Sequence, residues 1–287
     1  MTFSAAPSAA WWAASLGAAA FAILFPIALI IVAHSRLKVG WRYAGYGALI
    51  FFIFQIITRV PAIQLAQYFL APTLRSSQAA LYAFLFVASL TAGLFEEVGR
   101  YLGYRWFMRR EEKTWAKAVM YGLGHGGLES VALVGVLAAI TLLNVWLIVS
   151  TNGAIVPAAQ RATAASQITA IAAQPGWLPL LGAWERVCAI TMQVAFSVIV
   201  LQVFRRGSLN WLWLAIGLHT LVDFSATALT RALPFGTLAN TLVVEGILTL
   251  MALGALWLIF ALRDRPAMPE RVAPSLPDEV EAGPAVE

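Results

Sequence analysis

The sequence has very few charged residues. Asp, Glu, Lys and Arg make up 11% of the 287 residues, against about 25% in an ordinary soluble domain. Hydrophobic residues make up 61%, and the mean hydropathy is +0.79. So few charges could not cover the surface of a water-soluble enzyme of this size, and a disordered chain would need low hydrophobicity. We therefore predict an all-α polytopic membrane protein.

Cysteine and the common hydrolase motifs are also lacking. The single cysteine, Cys188, cannot form an internal disulfide and belongs to no cysteine-based metal motif. The chain has no H-E-x-x-H helix, no G-x-S-x-G elbow and no glycine-rich phosphate loop, which excludes the soluble enzymes that these motifs mark. Because the basic residues form no runs interleaved with aromatics, we expect no nucleic-acid partner.

What the sequence has instead is long apolar runs. A transmembrane helix needs about 20 mostly apolar residues, and seven stretches qualify, at about 12–33, 43–63, 78–108, 118–149, 185–204, 209–229 and 237–262. These runs predict a single transmembrane helical domain over residues 1–263. We expect an external loop at about 150–184 that holds a short surface helix, and a disordered cytoplasmic tail over 264–287.

The basic residues predict the direction of the chain in the membrane. Of the 19 Lys and Arg residues, 14 fall in one alternating set of loops and at the C-terminal end, and 5 fall on the other side. Because cytoplasmic loops are enriched in Lys and Arg, the N-terminus is predicted outside and the C-terminus in the cytoplasm. The expected location is a bacterial plasma membrane, with the lipid bilayer as the surrounding partner.

Ionisable residues inside the apolar runs mark the candidate site, since charges at membrane depth are costly. Seven of them lie on three spans: Glu96, Glu97 and Arg100 on the third, His125 and Glu129 on the fourth, and His219 and Asp223 on the sixth. Within each span they are three or four positions apart, so they share one helix face. All three sets lie about 12 to 18 Å from the nearest basic loop. The common depth predicts one site, which we expect to open towards the cytoplasm.

Two kinds of chemistry fit this set of side chains. His125, His219, Asp223 and Glu97 could hold a zinc ion with one position open for water. Without a metal, and so without any cofactor, Glu96 or Glu97 would activate water as general base while the histidines stabilise the oxyanion. Either route hydrolyses an amide bond, and the expected substrate is a membrane-associated peptide or protein.

Neighbouring residues are expected to support the site. Arg100 would orient the carboxylates, and Glu129 would act on His125 as its hydrogen-bonding partner. Four glycines flank this histidine, at positions 122, 124, 126 and 127, and they would let a substrate strand or a neighbouring helix approach closely. At the start of the fifth span, Glu185 and Arg186 are predicted to form a local ion pair.

The motifs resemble those of a known group of enzymes. EE-x-x-R, aromatic-x-x-x-His and His-x-x-x-Asp follow one another on three spans, and this order resembles the CPBP (CaaX protease and bacteriocin-processing) intramembrane proteases. The segments EEVGRY and GHGGLES, followed by an ER pair at the start of the next span, resemble the bacterial YhfC family, which is described as intramembrane metalloproteases. The resemblance covers roughly half of the chain.

The resemblance implies a role for each matching residue. Glu96 matches the residue that activates water in the CaaX branch, and Glu97 matches its neighbour. His125 matches the histidine that helps to hold the water, whereas His219 and Asp223 match the pair that binds or stabilises the oxyanion. The sequence departs from the wider clan in having two residues between the glutamate pair and the arginine, and Asp where Asn is common. These departures leave open which glutamate is the base and whether a metal takes part.

Other functions fit the same residues. Histidine and carboxylate chains at membrane depth are also used by proton- or cation-coupled transporters, although the spans show no inverted repeat. A non-catalytic membrane adaptor could retain a protease-like fold. Taken alone, Glu96 and Arg100 could be a buried ion pair that fixes helix packing.

Overall fold

The computed structural model describes residues 6–233 and 238–263, and the predicted tail over 264–287 lies outside these ranges. Of these described residues 86% are helical, and none lies in a strand. Within the same ranges, seven helices are long and apolar enough to cross a membrane. They are span 1 (Ala9–Leu37), span 2 (Arg42–Ser76), span 3 (Gln78–Phe107), span 4 (Trp115–Ser150), span 5 (Leu180–Arg206), span 6 (Asn210–Ala232) and span 7 (Leu238–Ala261). The all-α, seven-span prediction is confirmed, while the direction of the chain stays a prediction.

Span 2 is longer than its hydropathy indicated, because it continues beyond residue 63 to Ser76. Gln64 and Gln67 interrupt the apolar run, but glutamine is a good helix former and does not stop the helix. The helix widens into a π-helical stretch at Phe52–Arg59, and span 4 has a second one at Ser130–Gly135. Such π turns often occur at functional sites, and both lie beside the candidate site.

Span 5 forms the centre of the bundle. Along an apolar stretch of 18 residues in span 5, 78% of the residues are buried, whereas 17–28% are buried along the corresponding stretches of the other six spans. The outer faces of those six helices are rich in exposed Leu, Ile, Phe and Trp side chains, as expected for surfaces that contact lipid tails. Because span 5 is surrounded by the other helices, polar side chains on their inner faces lie against it.

The glycines around His125 pack span 4 between two other helices. A Cβ atom on Gly124 would lie 1.9 Å from the carbonyl oxygen of Ala44 in span 2, and one on Gly122 would lie 2.6 Å from the Cα of Val194 in span 5. These distances require a hydrogen in place of a side chain. Of the two predicted occupants, the neighbouring helix is therefore the one found.

Spans 3 and 6 approach each other in the same manner. A Cβ atom on Gly93 would lie 2.8 Å from the carbonyl oxygen of Ile216. This contact is about one helical turn from both Glu97 and His219, so it brings these two side chains within hydrogen-bonding distance. Span 3 begins at a Ser77 cap, whose hydroxyl accepts a hydrogen bond from the amide of Ala80 at 3.2 Å, as is usual at helix N-termini.

The connection between spans 4 and 5 contains the predicted surface helix, at Arg161–Ala172. Ile168 on this helix is 3% exposed and lies in a small apolar cluster with Trp11 of span 1. The cluster fixes the helix against the end of the bundle that the charge pattern predicts to be external.

Candidate functional site

Glu96 lies at the centre of the site and is 3% exposed. Its Oε2 atom is 2.9 Å from Nε2 of His125 and 3.9 Å from Nε2 of His219. Its other oxygen, Oε1, accepts a hydrogen bond of 2.6 Å from Nε2 of Gln55. Spans 2, 3, 4 and 6 thus meet at one carboxylate, as the common depth of the polar residues predicts.

Glu97 faces the other side of the His219 ring. Its Oε1 atom is 2.7 Å from Nδ1 of His219, and its Oε2 atom is 3.0 Å from Nε of Arg100. The ring of His219 also stacks on Phe196, with centroids 4.7 Å apart and planes at 10°. Because Glu97 contacts Nδ1 and Phe196 fixes the plane of the ring, Nε2 of His219 faces both Asp223, at 3.7 Å, and Glu96, at 3.9 Å.

Arg100 is fully buried, which requires that its guanidinium be well paired. Besides the ion pair with Glu97, Nη1 donates to the hydroxyl of Ser197 at 2.5 Å and Nη2 donates to Oε1 of Gln193 at 2.6 Å. A further bond runs from Nη1 to the backbone carbonyl of Gln193 at 2.9 Å. Arg100 thereby attaches Glu97 of span 3 to the central span 5, and its orienting role stays a prediction.

Gln193 connects the two acidic parts of the site. Its Nε2 donates to Oε2 of Glu96 at 3.2 Å and to Oε2 of Glu129 at 2.8 Å. Glu129 is also 3.5 Å from Nη1 of Arg186, so its side chain contacts Gln193 and Arg186 and not His125, the partner that was predicted. The predicted local pair of Arg186 with Glu185 is therefore replaced by a contact between spans 4 and 5, while Glu185 lies beside Glu245 of span 7.

Gln55 and Gln193 were not among the predicted site residues, although both contact Glu96. Neither residue carries a charge, and a lone glutamine in an apolar run gives no motif. The one available signal was that an amide buried at membrane depth needs hydrogen-bond partners. Arg59 lies within the predicted second span and was given no role in the site, yet its Nη1 donates to Oε1 of Gln55 at 3.2 Å.

Asp223 is the member of the site that reaches the surface. Its carboxylate is 3.7 Å from Nε2 of His219, and its side chain is 37% exposed. It lines a cavity of about 180 Å³ together with Arg59, Ser89 and Thr227. On spans 3 and 6 these residues lie farther from the basic loops than the glutamates and histidines do. This opening therefore faces the predicted external side, opposite to the predicted cytoplasmic opening.

Two of the side chains that were predicted to bind zinc contact each other directly. Nδ1 of His219 is 2.7 Å from Oε1 of Glu97, whereas adjacent ligands on a tetrahedral zinc with bonds of 2.0–2.1 Å lie about 3.3 Å apart. Glu97 is engaged by Arg100. Across residues 6–233 and 238–263, no group of three or more His, Cys, Asp or Glu side chains is arranged to hold a metal ion. The donors are of the right type, but this arrangement does not fit the ion.

The chain resembles one described family and one curated protein. A family model described as "YhfC intramembrane metalloprotease" matches residues 21–248. The chain is 31% identical over 253 residues to "Uncharacterized membrane protein YhfC" of Bacillus subtilis (strain 168), and the alignment covers 85% of this chain and 93% of that protein. No solved structure matches the chain. The matched residues include every predicted site residue.

Proposed function

Because the chain belongs to the YhfC intramembrane metalloprotease family, we propose that it is an intramembrane peptidase of the bacterial plasma membrane. Its substrate would be a membrane-associated peptide or protein, and Glu96 would activate the water that attacks the peptide bond. The observation that carries this proposal is the position of Glu96 Oε2, with ring nitrogens of two histidines at 2.9 and 3.9 Å.

Glu96 is better placed than Glu97 to act as the base. Glu97 forms an ion pair with Arg100 through one oxygen and contacts His219 through the other, so its negative charge is neutralised by a buried arginine. Glu96 instead faces the Nε2 atoms of both histidines. Nε2 of His219 also lies 3.7 Å from the exposed carboxylate of Asp223. A base must lie within hydrogen-bonding distance of the proton that it removes, so the proposed water would reach Glu96 from the cavity beside Asp223.

The reaction balances with these side chains alone. Water oxygen attacks the carbonyl carbon while Glu96 takes one of the water protons. The resulting oxyanion accepts hydrogen bonds from the ring N–H groups of His125 and His219, which stabilise charge in a site from which bulk water is excluded. The C–N bond then breaks, and Glu96 returns the proton to the leaving amine, which leaves a new carboxylic acid and a new amine; the acid then transfers its proton to the amine, giving carboxylate and ammonium.

The remaining site residues hold this geometry. Arg100 neutralises Glu97, which in turn fixes His219 through Nδ1, and Gln193 and Gln55 each donate to one oxygen of Glu96. Catalytic groups must be held close to their productive positions by partners that are themselves fixed. The burial of the whole set, together with its attachment to span 5, supports a preorganised site.

The test uses the full chain in liposomes that contain bilayer-inserted model peptides of varied sequence. In heavy-oxygen water, hydrolysis places the heavy isotope in each new carboxyl terminus, which mass spectrometry detects. We expect labelled termini with the wild type and none with Glu96→Gln. If the wild type produces no labelled terminus but moves protons or cations across the liposome membrane, the protein is a transporter and the proposal is wrong.

A further inference from the structure

A basic cavity lies at the turn between spans 1 and 2, far along the chain from the glutamate site. It has a volume of about 510 Å³, and Lys38, Trp41, Arg42 and Lys117 are among the residues that line it. We propose that this cavity binds the phosphate-bearing headgroup of an anionic phospholipid. The proposal goes beyond the peptidase reaction and does not depend on it.

The charges around the cavity favour an anionic ligand. Three cationic side chains line it, and the side chain of Arg42 is 59% exposed. The nearest carboxylate is that of Glu111, which is 3.2 Å from Arg42 and 3.4 Å from Lys117. With three cations and one carboxylate, the cavity carries a net positive charge. Arginine and lysine are also the side chains that bind phosphate.

The turn itself is rigidly built. Lys38 adopts the left-handed conformation, with φ of 55°, although it is not glycine. His34 donates through Nδ1 to the carbonyl oxygen of Val39 at 2.7 Å, and its ring stacks on Trp41 with centroids 4.3 Å apart. A non-glycine residue in this conformation persists only where its surroundings hold it. The cavity is therefore a fixed feature of the turn.

The apolar surfaces next to the cavity favour a lipid as the source of the phosphate. Ile31 of span 1 and Leu49 of span 2 are 51% and 43% exposed. Ile31 lies seven residues before Lys38, and Leu49 lies seven residues after Arg42. This spacing places each apolar side chain on the same side of the helix as its basic residue and about 10 Å deeper in the membrane. A phospholipid would bury its acyl chains along these side chains while its headgroup fills the cavity. The exposed Trp41 ring is typical of the level where headgroups meet the apolar layer.

The experiment compares two variants that lose the same number of charges from loops of the same predicted side. The cavity variant is Lys38→Asn/Arg42→Gln/Lys117→Gln, and its control is Arg105→Gln/Arg109→Gln/Arg110→Gln, whose residues do not line the cavity. Native mass spectrometry of the full chain in micelles measures bound phosphatidylglycerol against phosphatidylcholine. We expect the cavity variant to bind phosphatidylglycerol about a hundredfold more weakly and the control to change by less than about threefold. Equal losses in both variants would show a nonspecific charge effect and overturn the proposal.

A single substitution keeps the test valid if the triple variant does not fold. Lys38→Asn removes one cavity charge without touching Glu111, and asparagine tolerates the left-handed conformation. We expect about fivefold weaker binding of phosphatidylglycerol with unchanged thermal unfolding. Unchanged binding in this folded variant would contradict the proposal. Displacement of the lipid by an equal concentration of inorganic phosphate would identify a free-anion site instead of a lipid site.

Discussion

Nδ1 of His219 lies 2.7 Å from Oε1 of Glu97, and this contact turns Nε2 of the same ring towards Glu96 and Asp223, which are 3.9 and 3.7 Å away. Adjacent glutamates in span 3 therefore have different surroundings. Glu97 is held by Arg100 and contacts Nδ1 of the histidine, whereas Glu96 faces the Nε2 atoms of both histidines. Under the proposed function, Glu97 would be the positioning carboxylate and Glu96 the base.

Glu97→Gln tests the positioning role. The substitution keeps the size of the side chain but removes the charge that pairs with Arg100 and fixes His219. Loss of a partner that orients a functional histidine typically costs about 10- to 100-fold in activity. We expect kcat to fall by this factor with little change in KM, measured as labelled termini per unit time. Activity equal to that of the wild type would show that His219 needs no orientation by Glu97.

Gln193→Leu tests the connection between Glu96 and Glu129. Leucine removes the amide that donates to both carboxylates and accepts from Arg100. Unpaired buried polar groups cost about 1–3 kcal/mol, so we expect a lower melting temperature and lower peptidase activity. Gln202→Leu is the matched control, since Gln202 is also buried in span 5 but bonds to Arg206 and Val198. An equal loss of activity in the two variants would contradict a specific role for Gln193.

Gly124→Ala tests the close contact of spans 2 and 4. The added methyl group would lie 1.9 Å from the carbonyl oxygen of Ala44, next to His125. Overpacking of this type costs about 1–3 kcal/mol, and separation of the helices would move His125 away from Glu96. In contrast, Gly217→Ala meets no atom within 4 Å, so we expect it to leave activity and melting temperature unchanged or to raise the latter. Normal stability and activity of Gly124→Ala would show that the helices are not in this contact.

Glu111 lies between spans 3 and 4, outside the membrane-spanning segments, and contacts Arg42 and Lys117. These contacts predict that the stability of the fold depends on pH. The pKa of Glu111 lies below its ordinary value of 4.5, chiefly because Tyr43 donates a hydrogen bond to the carboxylate and because Arg42 and Lys117 are close. A lowered folded-state pKa gives stability that is present above the ordinary pKa and is lost as the pH falls through the lowered value.

Glu111→Gln tests this effect by thermal unfolding over a pH series. At neutral pH we expect the variant to be less stable by about 0.2–1 kcal/mol, the usual contribution of a solvent-accessible ion pair. The difference from the wild type should shrink as the pH drops below 4.5. A difference that stays constant over the series would show that the charge of Glu111 does not stabilise the fold.

Much of the architecture could be predicted from the sequence because the bilayer imposes simple requirements. Apolar runs of span length marked all seven helices, and charged residues at one depth marked Glu96, Glu97, His125 and His219 as neighbours. Those four side chains do meet, since buried charges in a membrane must find partners. The YhfC resemblance was also confirmed, by the family model over residues 21–248 and by the relative that is 31% identical.

The rest depended on packing that no local pattern records. Gln55 and Gln193 gave no motif, yet they contact Glu96 because the π turn of span 2 and the buried position of span 5 bring them there. The direction of the opening was expected from depth alone, but the exposed group is Asp223, one turn beyond His219 on the far side. The partner of Arg186 likewise depends on how span 5 packs against span 4.

The central claim is that the carboxylate of Glu96, and not buried acidity in general, hydrolyses a peptide bond. Its most direct test measures heavy-oxygen incorporation into new carboxyl termini with Glu96→Gln and Glu245→Gln side by side. Both residues are glutamates within spans and are 3% and 5% exposed, but only Glu96 contacts the histidines. The account predicts that Glu96→Gln abolishes labelling and that Glu245→Gln retains it. Continued labelling with Glu96→Gln would contradict the account.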